Sequence, residues 1–269
     1  MYANSQRIPT GYRWLLASIV LLLLFLLYTA IFASGVMINL TLHADQWLLH
    51  RPLTSVDCVF REWKTLGDPP FISFLTVVLG IVCLWLGYRK RVLPYLVLLL
   101  LLGLGVEVVG KQVFSQPIPN SLGYGMITLS CPQVLHQPRS VQLMVMMGMW
   151  WKAPPFSAKA VRKEQYSATT PFTLDDANPD NGYPSGHAMR WSFLGIVVGW
   201  LFWRHVKRRL LRLLLMTIAF AIALAGGIIM FYIGLHLLTD ITAGSLFGAS
   251  MACCAIALLM RNDRKSRFV

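Results

Sequence analysis

The chain has 269 residues, 56% of them hydrophobic and only 13% charged, with a formal net charge of +13. One water-soluble domain of that length cannot bury so much apolar side chain, so the composition excludes an ordinary soluble protein and calls for a bilayer as partner. The positive excess is spread along the chain in short clusters between apolar runs, a pattern that excludes nucleic acid as the expected partner.

Six runs approach the ~20 apolar residues that cross a hydrocarbon core: Trp14 to Met37, Pro70 to Tyr88, Val92 to Phe114, His187 to Trp203, Leu213 to Phe231 and Leu237 to Met260. The expected fold is all-α, a polytopic bundle of six transmembrane helices forming one membrane domain over 1–269. The first run exceeds the apolar stretch of a secretory signal and reads as a span. Of the 24 Lys and Arg, fourteen fall on one side of that topology: Arg7, Arg13, Arg89, Lys90, Arg91, Arg204, Lys207, Arg208, Arg209, Arg212, Arg261, Arg264, Lys265 and Arg267. By the positive-inside rule that side is cytoplasmic and holds both termini. A plasma (inner) membrane of a bacterium is expected, since the outer loops lack Asn-x-Ser/Thr acceptors other than Asn39-Leu40-Thr41.

Two outer segments, Asn39 to Pro69 and Ser115 to Ser185, hold most of the remaining mass, so function is expected on the extracytoplasmic side. Within the first, Asn39 to Trp63 suits an interfacial helix anchored by Trp47, Leu48, Phe60 and Trp63. In the second, VQLMVMMGMWW (Val141 to Trp151) is too short to span. It reads either as an interfacial wall beside a lipid-sized cleft or as a helix packed on the ends of the spans. Asp176, Asn178, Asp180 and Gly182 loosely resemble a calcium loop, but Pro179 interrupts it and the distal glutamate is missing, so a turn and no metal are expected. Cys83, Cys253 and Cys254 lie in spans as small packing residues, whereas Cys58 and Cys131 fall in outer loops where an oxidising compartment permits a bridge.

Ionisable groups at membrane depth are costly and mark sites. Lys111 ends the third run, Ser185-Gly186-His187 opens the fourth and His236 opens the sixth, so topology alone brings them to one side. A helix start at Ser185 presents free N–H groups to an anion, with Gly186 allowing close approach and Ser185 and His187 supplying hydrogen bonds and a proton. His236 and Asp240, four apart, are expected on one face of a helix, the carboxylate fixing the imidazole tautomer and leaving the other nitrogen as nucleophile or base.

Lys111, Pro184-Ser185-Gly186-His187 and His236-Leu-Leu-Thr-Asp240 followed by Gly244 resemble the three signature motifs of the type 2 phosphatidic acid phosphatase superfamily, from about Gly67 to Gly248. The resemblance implies a helical bundle without an obligatory cofactor or metal. His236 would attack phosphorus, Asp240 would orient it, His187 would serve as acid then base, and Lys111, Ser185 and Gly186 would bind phosphate. Two arginines of the family pattern are replaced, by Ile118 and Met230. Arg190, one turn beyond His187, is the expected substitute, with Arg139, Lys152, Arg162 and Lys163 of the long segment as further cations.

The implied activity is outward-facing hydrolysis of a lipid phosphate or diphosphate: a polyprenyl diphosphate, a phosphatidate-like lipid or lipid A. The alternatives are transfer of the phosphoryl group to an acceptor lipid, and a non-catalytic lipid-binding or regulatory member of the fold. A vanadium haloperoxidase, which shares the anion cage, is disfavoured by the missing arginines, and a transporter by the lack of an internal repeat.

Overall fold

Pro69 and Pro70 begin a helix at little cost, because first-turn residues have no intrahelical acceptor for an N–H and proline presets φ. Such local signals recur along the chain. The computed structural model describes residues 10–37, 60, 63–114, 116–119, 127–130, 159–162, 177–180, 182–233 and 235–261. Six α-helices have bounds among them: α1 (Thr10–Ala33), α2 (Pro69–Trp85), α3 (Val92–Val113), α4 (Gly186–His205), α5 (Arg209–Tyr232) and α6 (Leu238–Arg261). A short 3-10 turn, Lys64–Gly67, leads into α2.

Length and composition alone qualify α1, α3, α5 and α6 to cross a membrane, while α2 has only 17 residues. The expected second span stops short of Tyr88 for a local reason. Gly87 takes φ 94°, Tyr88 N–H bonds the Cys83 carbonyl at 3.0 Å and Gly87 N–H that of Leu84 at 3.0 Å, the double closure of a Schellman motif. α1 likewise ends at Ala33 rather than Met37, the chain turning through Gly35 at φ 78°.

Helices form the core of the fold. Four short strands occur between α3 and α4: β1 (Gln116–Pro119), β2 (Ile127–Ser130), β3 (Lys159–Arg162) and β4 (Ala177–Asp180). They pair antiparallel in a nested order, β1 with β4 and β2 with β3. The turn expected at Asp176 to Gly182 is therefore corrected, because Ala177–Asp180 is extended and pairs in register from Gln116↔Asp180 to Pro119↔Ala177. The Val141 to Trp151 segment, Cys58 and Cys131 lie outside the described residues. Cys83, Cys253 and Cys254 are free thiols within helices, Cys83 and Cys253 buried.

α4 and α6 make the centre, with α5 packed along α4, α1 along α6, and the α2–α3 pair joined through α3. Small residues set how close they come. A Cβ on Gly248 would lie 2.2 Å from the Met189 carbonyl oxygen, one on Gly244 2.2 Å from that of Ser185, and one on Gly195 2.5 Å from Ala223 Cβ. Between α1 and α6, the Ser18 hydroxyl donates to the Ser250 carbonyl and the Ser250 hydroxyl to the Ser18 carbonyl, each at 2.8 Å. Such close approach and side-chain bonding hold helices together where lipid removes the hydrophobic drive. The outer faces are apolar: Leu16, Leu23, Phe74, Leu98, Leu101 and Leu224 are all exposed.

The bundle has two chemically different ends. At one, Gly11 approaches Ala257 and Met260, and the Tyr88 hydroxyl meets His205 Nε2 at 3.0 Å. Arg13, Arg89–Arg91, Arg204–Arg212 and Arg261 belong to this end, where the guanidiniums of Arg204 and Arg212 lie over the Trp200 and Trp203 rings. At the other, Phe32 of α1 stacks on Tyr183 at 4.1 Å, Phe114 closes on the same ring edge-on, and the Tyr183 hydroxyl meets Thr29 Oγ1 at 2.7 Å. Thr29 gives its own hydrogen to the Phe25 carbonyl, so Tyr183 is the donor of that pair.

Because the Gly248 contact is with backbone, which cannot swing aside, Gly248→Val is expected to destabilise the bundle by about 1–3 kcal/mol or more. Gly105→Val, at a glycine with open space around it, is expected to stay within about 0.5 kcal/mol of the parent. Thermal unfolding of both variants in detergent checks the contrast.

Candidate active site

Ser185 is the N-cap of α4, in extended conformation at φ −67°, ψ 112°, its Oγ accepting from Ala188 N–H at 3.5 Å. Its own N–H is held by the Asp240 carbonyl at 3.0 Å, which ties the start of α4 to the first turn of α6. Before it comes a cis Tyr183–Pro184 peptide. Pro184 packs against Gly110, where a Cβ would lie 2.5 Å from Pro184 Cδ, so the C-terminal end of α3 is seated against the same turn. The amides of Gly186 and His187, in the first turn of α4, have no helical acceptor and carry the positive end of the helix dipole.

His236 and Asp240 meet, but not as expected on one helix face. α6 begins at Leu238, so His236 stands in the turn before it. Asp240 reaches back from the first turn: its Oδ2 accepts from Leu237 N–H at 3.1 Å and lies 3.4 Å from His236 Nδ1. One carboxylate oxygen thus caps the helix and faces the imidazole. As a carboxylate only accepts, the hydrogen is on Nδ1 and the neutral ring keeps a lone pair at Nε2. Asp240 is 1% exposed, which holds that arrangement away from water.

The His187 and His236 rings have centroids 6.4 Å apart and planes tilted by 53°. His187 Nε2 faces the Lys64 carbonyl at 3.1 Å, an acceptor that puts the hydrogen on Nε2, with Asp68 Oδ1 at 3.5 Å. The 3-10 turn is pressed onto this ring, since a Cβ on Gly67 would fall 2.1 Å from His187 Cδ2.

Arg190 lies one turn deeper and is 3% exposed. Its Nε donates to the Gly67 carbonyl at 3.0 Å and one terminal nitrogen to Glu107 Oε2 at 2.5 Å. Lys111 Nζ donates to the other oxygen, Glu107 Oε1, at 2.7 Å. Glu107 lies against Gly186, where a Cβ would come within 2.0–2.2 Å of the carboxyl group. Lys111, Gly186 and Arg190 are therefore contiguous, joined by a carboxylate that sequence reasoning missed. Its signal was available: an acid deep in an apolar run, four residues before a lysine. Asp68 gave no such signal, because an aspartate before a proline-started helix is an ordinary cap.

Among the further expected cations, Arg162 lies in β3 opposite Ile127, and Arg139, Lys152 and Lys163 fall outside the described residues. Of the positions where the resemblance calls for arginine, Ile118 lies in β1 opposite Asn178. Met230 is buried with Ile229 and Ile233, against which Phe60 and Trp63 pack. Phe60 and Trp63, expected as interfacial anchors, thus bear on the C-terminal end of α5, and Trp47 and Leu48 lie outside the described residues.

No curated protein matches the sequence. Among solved structures, the chain is similar to the first transmembrane PAP2 type phosphatidylglycerolphosphate phosphatase from Bacillus subtilis. The TM-score is 0.53 at 16% identity, over 92% of this chain and 98% of that one, a likeness of fold. The family model described as the PAP2 superfamily matches residues 91–264, which include Lys111, the Pro184–His187 turn and the His236–Asp240 pair, and with well over half of its length matched the chain belongs to that superfamily.

Proposed function

We propose that the protein is a membrane lipid phosphatase whose site opens at the end of the bundle opposite the basic one, and that the reaction runs through a phosphohistidine. The observation that carries this reading is the pair of imidazoles with centroids 6.4 Å apart beside the α4 N-terminus. A gap of that size suits one tetrahedral phosphoryl group between two rings, each within reach of an oxygen or of phosphorus. Membership of the PAP2 superfamily supports phosphoryl transfer as the chemistry.

In the proposed first step the Nε2 lone pair of His236 attacks phosphorus, the bond to the lipid oxygen breaks, and protonated His187 gives that oxygen a proton. Asp240 stabilises the positive charge that develops on the His236 ring through Nδ1–H. In the second step His187 takes a proton from water as its oxygen attacks phosphorus, the P–N bond breaks and Nε2 is restored. The α4 amides, the Ser185 hydroxyl, Lys111 and Arg190 hold the nonbridging oxygens as charge builds on them. An acceptor lipid hydroxyl in place of water makes the same cycle a phosphotransferase, so hydrolysis and transfer share their first half. The proposed substrates are lipid monophosphates and diphosphates of the polyprenyl, phosphatidate-like or lipid A classes.

We further assign all six helices as spans of one membrane domain. The basic end is placed in the cytoplasm and the site on the extracytoplasmic side of a plasma membrane. α4 is the least lipid-like of them by composition because its polar start is packed inside the bundle, where Ser185, His187 and Arg190 are buried.

Purified protein incubated in liposomes with a panel of lipid phosphates and diphosphates, with and without acceptor lipids, is expected to release phosphate or form a phosphorylated acceptor. His236→Ala should lower that rate by about 10³-fold or more, and with it any acid-labile, base-stable phosphoenzyme. Lipid binding with no product and no phosphoenzyme in the parent protein would instead assign a binding member of the fold. His187→Ala should depress turnover of an alkyl phosphate far more than that of p-nitrophenyl phosphate, whose leaving group needs no acid. Equal losses on both would remove His187 from that role. Arg190→Lys keeps a charge but cannot bridge Gly67 and Glu107 together, and a KM raised about tenfold is expected. An unchanged KM would take Arg190 out of phosphate binding.

A further inference from the structure

A carboxylate at the heart of an anion-binding site is unexpected chemistry, and Glu107 is such a group. It is 7% exposed, in an apolar helix where ionised acids are costly. Its two oxygens are bound separately, Oε1 by Lys111 at 2.7 Å and Oε2 by Arg190 at 2.5 Å. Its carboxyl group also lies flat against Gly186, the residue whose missing side chain opens the α4 N-terminus to close approach. A planar carboxylate with one cation per oxygen, set on the glycine of a helix start, has the partners and the position that two oxygens of a phosphoryl group would take. The same two cations are the ones assigned above to phosphate.

Resting on the phosphatase reading, we propose that Glu107 is a substrate-competing positioning residue: its carboxylate holds Lys111 and Arg190 in phosphate-binding geometry, and the substrate's phosphoryl oxygens displace it from them. Two requirements are met by this arrangement. Without substrate, buried Arg190 and half-exposed Lys111 would repel across the site and lose the acceptor they share, and the carboxylate supplies both the countercharge and that acceptor. With substrate, the cations are already placed, so little side-chain ordering remains to be done, as preorganisation demands. Displacement also sets a threshold. An anion must compete with a carboxylate bound at both oxygens, which favours tetrahedral oxyanions of high charge over weak ones such as carboxylates. Arg190 keeps its bond from Nε to the Gly67 carbonyl during the exchange, so the guanidinium remains anchored while its outer nitrogens change partner. Asp68 and Asp240 are engaged elsewhere, with His187 and His236 respectively, and do not offer an alternative resident anion.

The test is binding of orthovanadate and inorganic phosphate to full-length protein in detergent, measured by calorimetry and by thermal shift, for the parent and for Glu107→Gln. Glutamine is nearly isosteric and still accepts from Lys111, but carries no charge. The variant is expected to bind orthovanadate at least tenfold more tightly than the parent, and to melt at a lower temperature without anion while recovering most of that loss with it. If Glu107→Gln proves too unstable to purify, difference infrared spectra of the parent, with and without orthovanadate, read the same event: a shift of a carboxylate stretch on binding is expected. A folded variant that binds orthovanadate no more tightly than the parent, or a parent whose carboxylate bands do not respond to it, overturns the proposal and leaves Glu107 as a fixed structural partner. Absence of oxyanion binding and of turnover in the parent itself would overturn the phosphatase reading instead, so the two failures are distinguishable.

Discussion

The contact between the backbones of α4 and α6 is the constraint on which the rest depends. Gly244 and Gly248 remove every side-chain atom from one side of that contact, so the carbonyls of Ser185 and Met189 rest directly on α6. The bond from Ser185 N–H to the Asp240 carbonyl then fixes the register of the two helix starts. Both histidines are attached to those starts, one by a single residue and one through the Asp240 carboxylate, so their separation follows from glycine packing. In a bilayer, where apolar burial gives little preference for one helix arrangement over another, such close approach is also what selects the pairing.

Around that fixed pair, opposite charges are paired locally. Lys111, Arg190 and Glu107 form a chain with one net positive charge, and each histidine has its own aspartate. Membership of the PAP2 superfamily makes the arrangement informative, because the arginine positions of the motif pattern are taken here by Ile118 in a strand and Met230 in a buried apolar cluster. Arg190 lies within α4, on the face turned toward α3 and Glu107. A cation so placed must be neutralised from a neighbouring helix, and Glu107 is the acid that α3 brings to it.

Much of this was legible in the chain itself. Apolar run lengths located the helices to within a few residues, since they depend only on composition and on breakers such as Pro69, Gly35 and Gly87. His187, His236 and Asp240 stood out because polar groups at the ends of apolar runs have few structural reasons to be there. The misreadings have physical causes too. The spacing of His236 and Asp240 predicts one helix face because it cannot tell a helical i,i+4 pair from a carboxylate reaching back over a helix start. Asp176 to Gly182 reads as a turn in sequence because Pro179 interrupts its acidic pattern, whereas the pairing of Ala177–Asp180 depends on Gln116–Pro119, some sixty residues away in sequence. The Lys64–Gly67 turn acts on His187 and Arg190 through main-chain carbonyls, which every residue possesses and no sequence pattern reveals.

The pairing of β1 with β4 bears on how this protein can vary. It draws together the point where the chain leaves α3 and the point where it returns to α4, Gln116–Pro119 lying against Ala177–Asp180. Because the entropy of closing a loop rises only with the logarithm of its length, doubling it costs about 0.6 kcal/mol. The chain between the two paired strands can therefore lengthen, shorten or change composition with little strain passed to the helices. Relatives built on the same helical frame can differ most in length and composition there while the two histidines stay where the glycines put them.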